Sequence, residues 1–295
     1  MIFEISTAVK KFSSCRASAS ARTGFESDPT ITVLCLNYDN QFRRLPMERD
    51  RVEEDFLNRT AAERFGIDYL FPYQRLVISN ILEGAGFFSP ESGSSETFDP
   101  EDPPDTVQRQ IAILPTGAGK SLCFMLPGVL LPGVTLILFP LLSLLSDQKR
   151  RLDEQGIPAE LLAGGQSSAE REAAWGRLEL GKSRFLLSNP ETLIQQTALR
   201  RLEKLNIDHL VIDEAHTLPM WGRQFRPALL EIPSLIAAGR PRMTSAFTAT
   251  ASDVVLDQIQ EILFSDQAAH VIRAMPDRPN ISYHVIPCLS KSREL

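Results

Sequence analysis

The chain has 295 residues, 43% hydrophobic and 23% charged, a composition that supplies a sizeable core and excludes disorder throughout. The longest apolar candidate, residues 122–145, is broken by Pro127, Pro132 and Pro140, so no segment reaches the roughly 18 uncharged residues of a membrane-spanning helix, and a soluble protein with no membrane partner is expected. The 31 basic and 37 acidic residues leave a net charge of −6, which argues against indiscriminate polyanion binding by the whole surface yet permits a local basic groove.

In chain order, residues 1–50 read as an N-terminal extension. Apolar and polar residues alternate over 3–9 and 31–36, the pattern of short strands. Residues 10–22 between them are Ser-, Ala- and Arg-rich, faintly like a transit peptide, without the apolar block of a secretory signal. Cys15, Cys35, Cys123 and Cys288 lie far apart, with no Cys-x-x-Cys pair, so a reduced, cytoplasmic context is the default and neither a disulfide framework nor a zinc knuckle is expected.

The main domain is expected over 51–275. A helical pattern runs from 51 towards Phe65 and Gly66, and a second over 72–82 starts at Pro72, where a missing N–H has no consequence. Residues 84–106 carry Glu91, Glu96, Asp99, Glu101, Asp102 and Asp105 with no Lys or Arg, so the whole acidic excess sits in one segment. That segment is too polar to bury much surface and reads as an inserted loop, solvated or acting as an acidic flap over a basic groove. Beyond it, apolar runs at 110–114, 134–139, 159–162, 185–187, 209–212, 243–247 and 269–272 alternate with helical patterns. Runs of this kind, without strict alternation, predict strands buried on both faces of a mainly parallel α/β sheet in a three-layer domain.

The sharpest local signal is Ile111-Ala-Ile-Leu-Pro-Thr-Gly-Ala-Gly-Lys-Ser121, a strand entering a Gly-containing turn that opens a helix. Backbone N–H groups of such a turn converge on an anion, and Gly117 and Gly119 permit close approach. Lys120 can then meet the β and γ phosphates of a nucleotide while the Ser121 hydroxyl ligates Mg²⁺. Leu114 stands where the longer phosphate-loop pattern has its first Gly, leaving a shorter Pro115-Thr116-Gly117-Ala118-Gly119-Lys120-Ser121 form. Downstream, Leu210-Val-Ile-Asp-Glu-Ala-His216 is an apolar strand ending in two carboxylates. Alternating side-chain directions let Asp213 serve the metal while Glu214 serves as base for water.

With both elements in place, the sequence resembles superfamily 2 helicases, and within them the RecQ family of ATP-dependent DNA helicases, over roughly 65–280. Phe65-Gly66 with Pro72 and Gln74 resembles that family's motif zero, residues 115–121 motif I, and Phe139-Pro-Leu-Leu-Ser-Leu-Leu-Ser-Asp-Gln148 motif Ia. Ser188-Asn-Pro-Glu191 is similar to motif Ic, Asp213-Glu-Ala-His216 to motif II, and Phe247-Thr-Ala-Thr-Ala251 to motif III. Most specific is Ala215-His-Thr-Leu-Pro-Met-Trp-Gly-Arg-Gln-Phe-Arg-Pro227, which looks like the aromatic-rich loop after motif II. Physically, Trp221 and Phe225 offer flat faces to unstacked bases, and Arg223 and Arg226 offer cations, a combination suited to single strands of any sequence.

The resemblance implies a RecA-like domain that binds ATP and Mg²⁺, with Gln74 at the adenine, Lys120 at the phosphates, Ser121 and Asp213 at the metal and Glu214 orienting water. It implies that His216, Thr248 and Thr250 couple the nucleotide to the strand, that the reaction drives 3′ to 5′ translocation on DNA, and that repair and recombination are its setting, in the nucleoid or nucleus. The family's aromatic after Phe-Gly and its Arg before Gln are here Ile67 and Phe71, leaving stacking on Phe71 or Tyr73 and loose nucleotide choice as alternatives. Gln74 and Pro115 are also 41 positions apart, about twice the family's usual spacing. Residues 276–295 read as the start of a linker, so a second RecA-like half, in cis or in trans, is expected to complete the motor. A lone half would bind ATP and hydrolyse it poorly, since arginine fingers contribute ~10³ to 10⁵ in rate. A non-unwinding ATP switch and an RNA helicase are the competing expectations.

Overall fold

The computed structural model describes residues 31–36, 55–88, 108–222, 225–265 and 267–274. The strand expected over 3–9, residues 276–295, most of the acidic segment and Arg223 lie outside the described residues. The strand over 31–36 and residues 142 and 143 are described by their backbone alone.

Among the described residues, long-range order comes from eight strands: β1 (Ile31–Leu36), β2 (Arg109–Ile113), β3 (Val134–Leu138), β4 (Ala159–Leu162), β5 (Phe185–Ser188), β6 (Ile207–Ile212), β7 (Met243–Thr248) and β8 (Ala269–Ala274). They form one sheet in the order β1-β8-β2-β7-β6-β3-β5-β4, and every pairing is parallel. Each apolar run named from the sequence forms a strand, with ends shifted by one or two residues. Parallel strands need crossovers, and the helices that supply them cover both faces, which explains why β3, β5, β6 and β7 are buried at every position.

Side chains alternate between two cores, giving three layers. On one face Ile111, Leu136, Leu186, Leu210 and Ala246 pack under α5 (Ser168–Glu179), α6 (Pro190–Leu193), α7 (Gln196–Leu202), α8 (Thr217–Trp221), α9 (Ile232–Gly239) and α10 (Asp253–Phe264). On the other, Ala112, Ile137, Leu187, Val211 and Phe247 pack under α1 (Phe56–Phe65), α2 (Pro72–Gly84), α3 (Lys120–Leu130) and α4 (Leu142–Glu154). Local chemistry sets the helix ends. The Asp55 carboxylate caps α1 and Pro72 occupies the first turn of α2, while Ser167 and Glu170 form a reciprocal box at the start of α5. Among the described residues no helix is long and apolar enough to cross a membrane.

A polar cluster interrupts the core under α2. Gln110 on β2 donates to the Ser245 hydroxyl on β7 at 3.1 Å, and the same hydroxyl lies 2.9 Å from His209 Nε2 on β6. His209 is fully buried and its Nδ1 has no partner among the described residues. Burial pushes the imidazole down to about 3, because a charged ring here would be stripped of water with no counter-ion. The neutral ring therefore favours the fold fully above the unfolded value of about 6.5, and this contribution declines as pH falls from there towards 3, by on the order of 1.4 kcal/mol per pH unit. Urea unfolding at pH 8, 6.5 and 5 is expected to show that loss, and His209→Gln should flatten it; an unchanged slope in the variant would assign the acid sensitivity elsewhere.

Candidate functional site

The C-terminal ends of β2, β6 and β7 share one rim, and a turn, a pair of carboxylates and a threonine-rich segment meet there. After β2 the chain turns through Pro115, Thr116, Gly117, Ala118 and Gly119 into α3, whose first residues are Lys120 and Ser121. The Ala118 N–H donates to the Pro115 carbonyl at 3.0 Å. Gly117 and Gly119 have φ of 83° and 75°, the left-handed region that glycine adopts without a Cβ penalty. Gly119 is needed twice over, since a Cβ there would lie 2.5 Å from Gln74 Nε2. The N–H groups of the first turn of α3 point towards this end and make it anion-seeking.

Gln74 is 4% exposed, and both ends of its amide are engaged by the protein. Its Oε1 accepts from the Phe71 N–H at 2.9 Å, and its Nε2 donates to the Ala118 carbonyl at 3.0 Å. The Tyr73 hydroxyl donates to the same carbonyl at 3.1 Å. Gln74, expected at a nucleobase, here links the Phe71 N–H to the carbonyl of Ala118 in the turn. The flat surface beside it is aromatic: Phe71 and Tyr73 stack at 5.6 Å with ring planes 4° apart, and Tyr69 meets Phe71 edge-on at 5.6 Å.

β6 delivers the carboxylates. Asp213 is 8% exposed; burial and then the neighbouring Glu214 charge push its carboxyl up to about 6, against the Glu214 N–H that donates to Oδ1 at 2.9 Å and the charge of Lys120. Glu214 has φ of 50°, a strained conformation for a side chain of this type. Its Oε1 lies 3.6 Å from Lys120 Nζ and its Oε2 3.4 Å from His216 Nδ1. His216 Nδ1 also lies 2.9 Å from Thr248 Oγ1, and the Thr248 hydroxyl donates to the Thr250 carbonyl at 3.0 Å. That hydroxyl has one proton, already committed to Thr250, so His216 is the donor through Nδ1–H. The structure thus brings together Lys120, Glu214, His216, Thr248 and Thr250 as a continuous polar chain.

Ser121 and Asp213 are hard oxygen donors, and among the described residues no group of three or more His, Cys, Asp or Glu could hold a metal. That donor set fits Mg²⁺, which takes one or two protein oxygens and completes its shell with phosphates and water. Ser121 Oγ also meets Gln148 Nε2 from α4 at 3.3 Å. No role for Gln148 was read from the sequence. The available signal was a polar residue on the stripe of α4 that buries Leu145 and Leu152.

The loop after β6 divides its expected contacts. Trp221 packs partly into the core, whereas Phe225 is 74% exposed, with the two rings 6.2 Å apart at 79°. Arg226 is not free: its Nε and Nη2 lie 2.7 and 2.6 Å from Glu191 Oε1, and Glu191 Oε2 accepts from Asn189 Nδ2 at 2.8 Å. This ion pair joins the loop to the segment after β5, and nothing local in the sequence announces a partner 35 positions away.

Residues 71–259 match the DEAD/DEAH box helicase family. The chain is 32% identical over 176 residues to the ATP-dependent DNA helicase RecQ of Pasteurella multocida, covering 60% of this chain and 28% of that protein. It is 38% identical over 177 residues to the probable ATP-dependent DNA helicase RecS of Bacillus subtilis, covering 59% of this chain and 35% of that protein. The chain therefore spans about a third of the length of these curated relatives. The fold is similar to that of the DUF1998 helicase MrfA bound to DNA, with a TM-score of 0.52 and 21% identity, covering 74% of this chain and 29% of that one.

The crowding at Gly119 gives a test in the chain itself. Gly119→Ala is expected to lower stability to thermal unfolding by on the order of 1 to 3 kcal/mol, from left-handed strain and the clash with Gln74 together. Adding Gln74→Ala should not restore the wild-type melting temperature, because the link is lost and the strain stays; full restoration would mean that the clash is the whole effect.

Proposed function

The chain belongs to the DEAD/DEAH box helicase family, and from that premise we propose that it is the first motor domain of a RecQ-type ATP-dependent DNA helicase, translocating 3′ to 5′ on a single strand. The observation that carries this reading is the meeting of two distant segments: Lys120 at the start of α3 and Glu214 at the end of β6 approach to 3.6 Å on the rim that also carries the exposed Phe225. The similarity to helicases named RecQ and RecS supports DNA over RNA as the nucleic acid.

In this reading the turn 115–121 wraps the phosphates with backbone N–H groups, and Lys120 leaves Glu214 to meet the β and γ phosphates. Glu214 orients the attacking water and accepts its proton as the bond to the γ phosphate breaks. Ser121 and Asp213 hold Mg²⁺, which when bound neutralises charge developing on the transferring phosphoryl group. The base stacks on the Tyr69, Phe71 and Tyr73 surface in place of the charged recognition that Phe71 removes. Loss of the Lys120–Glu214 contact is relayed through His216 to Thr248 and Thr250, and from there to the strand. Phe225 stacks on DNA bases, and the Arg226–Glu191 pair holds the loop at its working height. A second RecA-like half, in cis or in trans, completes the ATP site beside the groove lined by Met220, Thr250, Val255 and Arg273.

The deciding experiment is the ATPase rate of the complete motor with and without single-stranded DNA. Glu214→Gln should reduce DNA-stimulated turnover by about 10²-fold or more while nucleotide affinity changes little. Phe225→Ala should abolish most of the stimulation and leave the basal rate near normal. Stronger stimulation by single-stranded RNA would sink the DNA assignment, and a parallel loss of nucleotide affinity in Phe225→Ala would make the loop structural.

A further inference from the structure

Gln148 sits on α4, far in sequence from the turn it touches, and is 9% exposed. Its amide is only half used. Nε2 donates to Ser121 Oγ at 3.3 Å, while Oε1 is buried without a partner among the described residues. Buried amide oxygens are nearly always paired, and an orphan next to a hydroxyl that is a metal ligand in the proposed function calls for an account.

A serine hydroxyl that ligates a cation gives the cation an oxygen lone pair and needs an acceptor for its own proton. With Nε2 towards Ser121, the amide competes for the same oxygen. Turned about its last side-chain bond, the same amide presents Oε1 and takes the proton. The turn exchanges one unpaired amide atom for the other, so the protein itself sets little preference between the two orientations, and a cation at Ser121 decides between them. We propose that Gln148 is a positioning residue for the metal: it orients the Ser121 hydroxyl towards Mg²⁺ by accepting its proton, and it acts only through Ser121. This rests on the assignment of Ser121 to the metal made above, and it adds a residue from α4 to a site otherwise built from α3 and β6.

The test is a double-mutant cycle on the 295-residue chain with Gln148→Met, Ser121→Ala and the pair, Met being chosen to keep volume while removing the amide. The readout is the affinity for fluorescent mant-ADP in Mg²⁺ and in EDTA, and their ratio is the gain due to the cation. Gln148→Met is expected to lower that gain by about tenfold, the size seen when an orienting partner of a metal ligand is removed, and to leave the EDTA affinity within about twofold. In the Ser121→Ala background the same substitution should have no further effect, because groups that act as a unit are non-additive. Equal weakening in Mg²⁺ and EDTA would make Gln148 a structural brace, and additive losses would separate it from Ser121; either result overturns the proposal while leaving the nucleotide site standing. A wild-type chain whose mant-ADP affinity gains nothing from Mg²⁺ would overturn the metal assignment and this proposal together.

Discussion

The backbone ladder of the sheet does not stop where its strands stop, and the site depends on that continuation. The Leu114 N–H donates to the Thr248 carbonyl at 2.9 Å, the Ala215 N–H to the Phe247 carbonyl at 2.8 Å, and the Asp213 N–H to the Leu138 carbonyl at 3.0 Å. These three bonds fix the turn after β2, the carboxylates after β6 and the threonines after β7 relative to one another before any side chain interacts. In a parallel sheet all such overhangs point the same way. Side-chain contacts such as Lys120 with Glu214 and His216 with Thr248 then need only short reaches from a frame already set.

That frame also explains why strain is tolerated at Glu214. A left-handed backbone at a non-glycine residue costs on the order of 1 to 3 kcal/mol and persists only where neighbours over-determine it. Here the residue before it is bonded to β3 and the residue after it to β7, so residue 214 has little freedom to relax. The conformation directs its carboxylate to both Lys120 and His216, while Asp213 stays buried.

Much of this was legible in the sequence, for reasons that differ by residue. Strands buried on both faces leave largely apolar runs, so the sheet could be read from runs such as 134–139 and 185–187. The turn 115–121 was legible because glycine has few other uses at two positions so close together before Lys-Ser. Partner choice over long separations was not legible. Arg226 was expected to face nucleic acid, and an arginine carries no local mark in the sequence that Glu191 will pair with it. Gln74 was assigned to a base from resemblance, whereas its amide length also suits a brace between Phe71 and Ala118. The Gln110, Ser245 and His209 cluster escaped notice because three polar residues on three strands converge only once the strand order is known.

The direction of α2 bears on the unusual distance between Gln74 and Pro115. Its first turn lies under the turn 115–121, where Gln74 and Tyr73 reach Ala118, and its 13 residues carry the chain about 20 Å away before Gly84. β2 then re-enters the sheet from its opposite rim at Arg109. The described anchors of the acidic segment, the end of α2 and Arg109, therefore lie at the end remote from the turn 115–121. Doubling such a connection adds only about 0.6 kcal/mol of closure entropy, and neither anchor point transmits its length to the turn. The domain can thus gain or lose residues in that stretch without re-engineering the turn at the other end of α2.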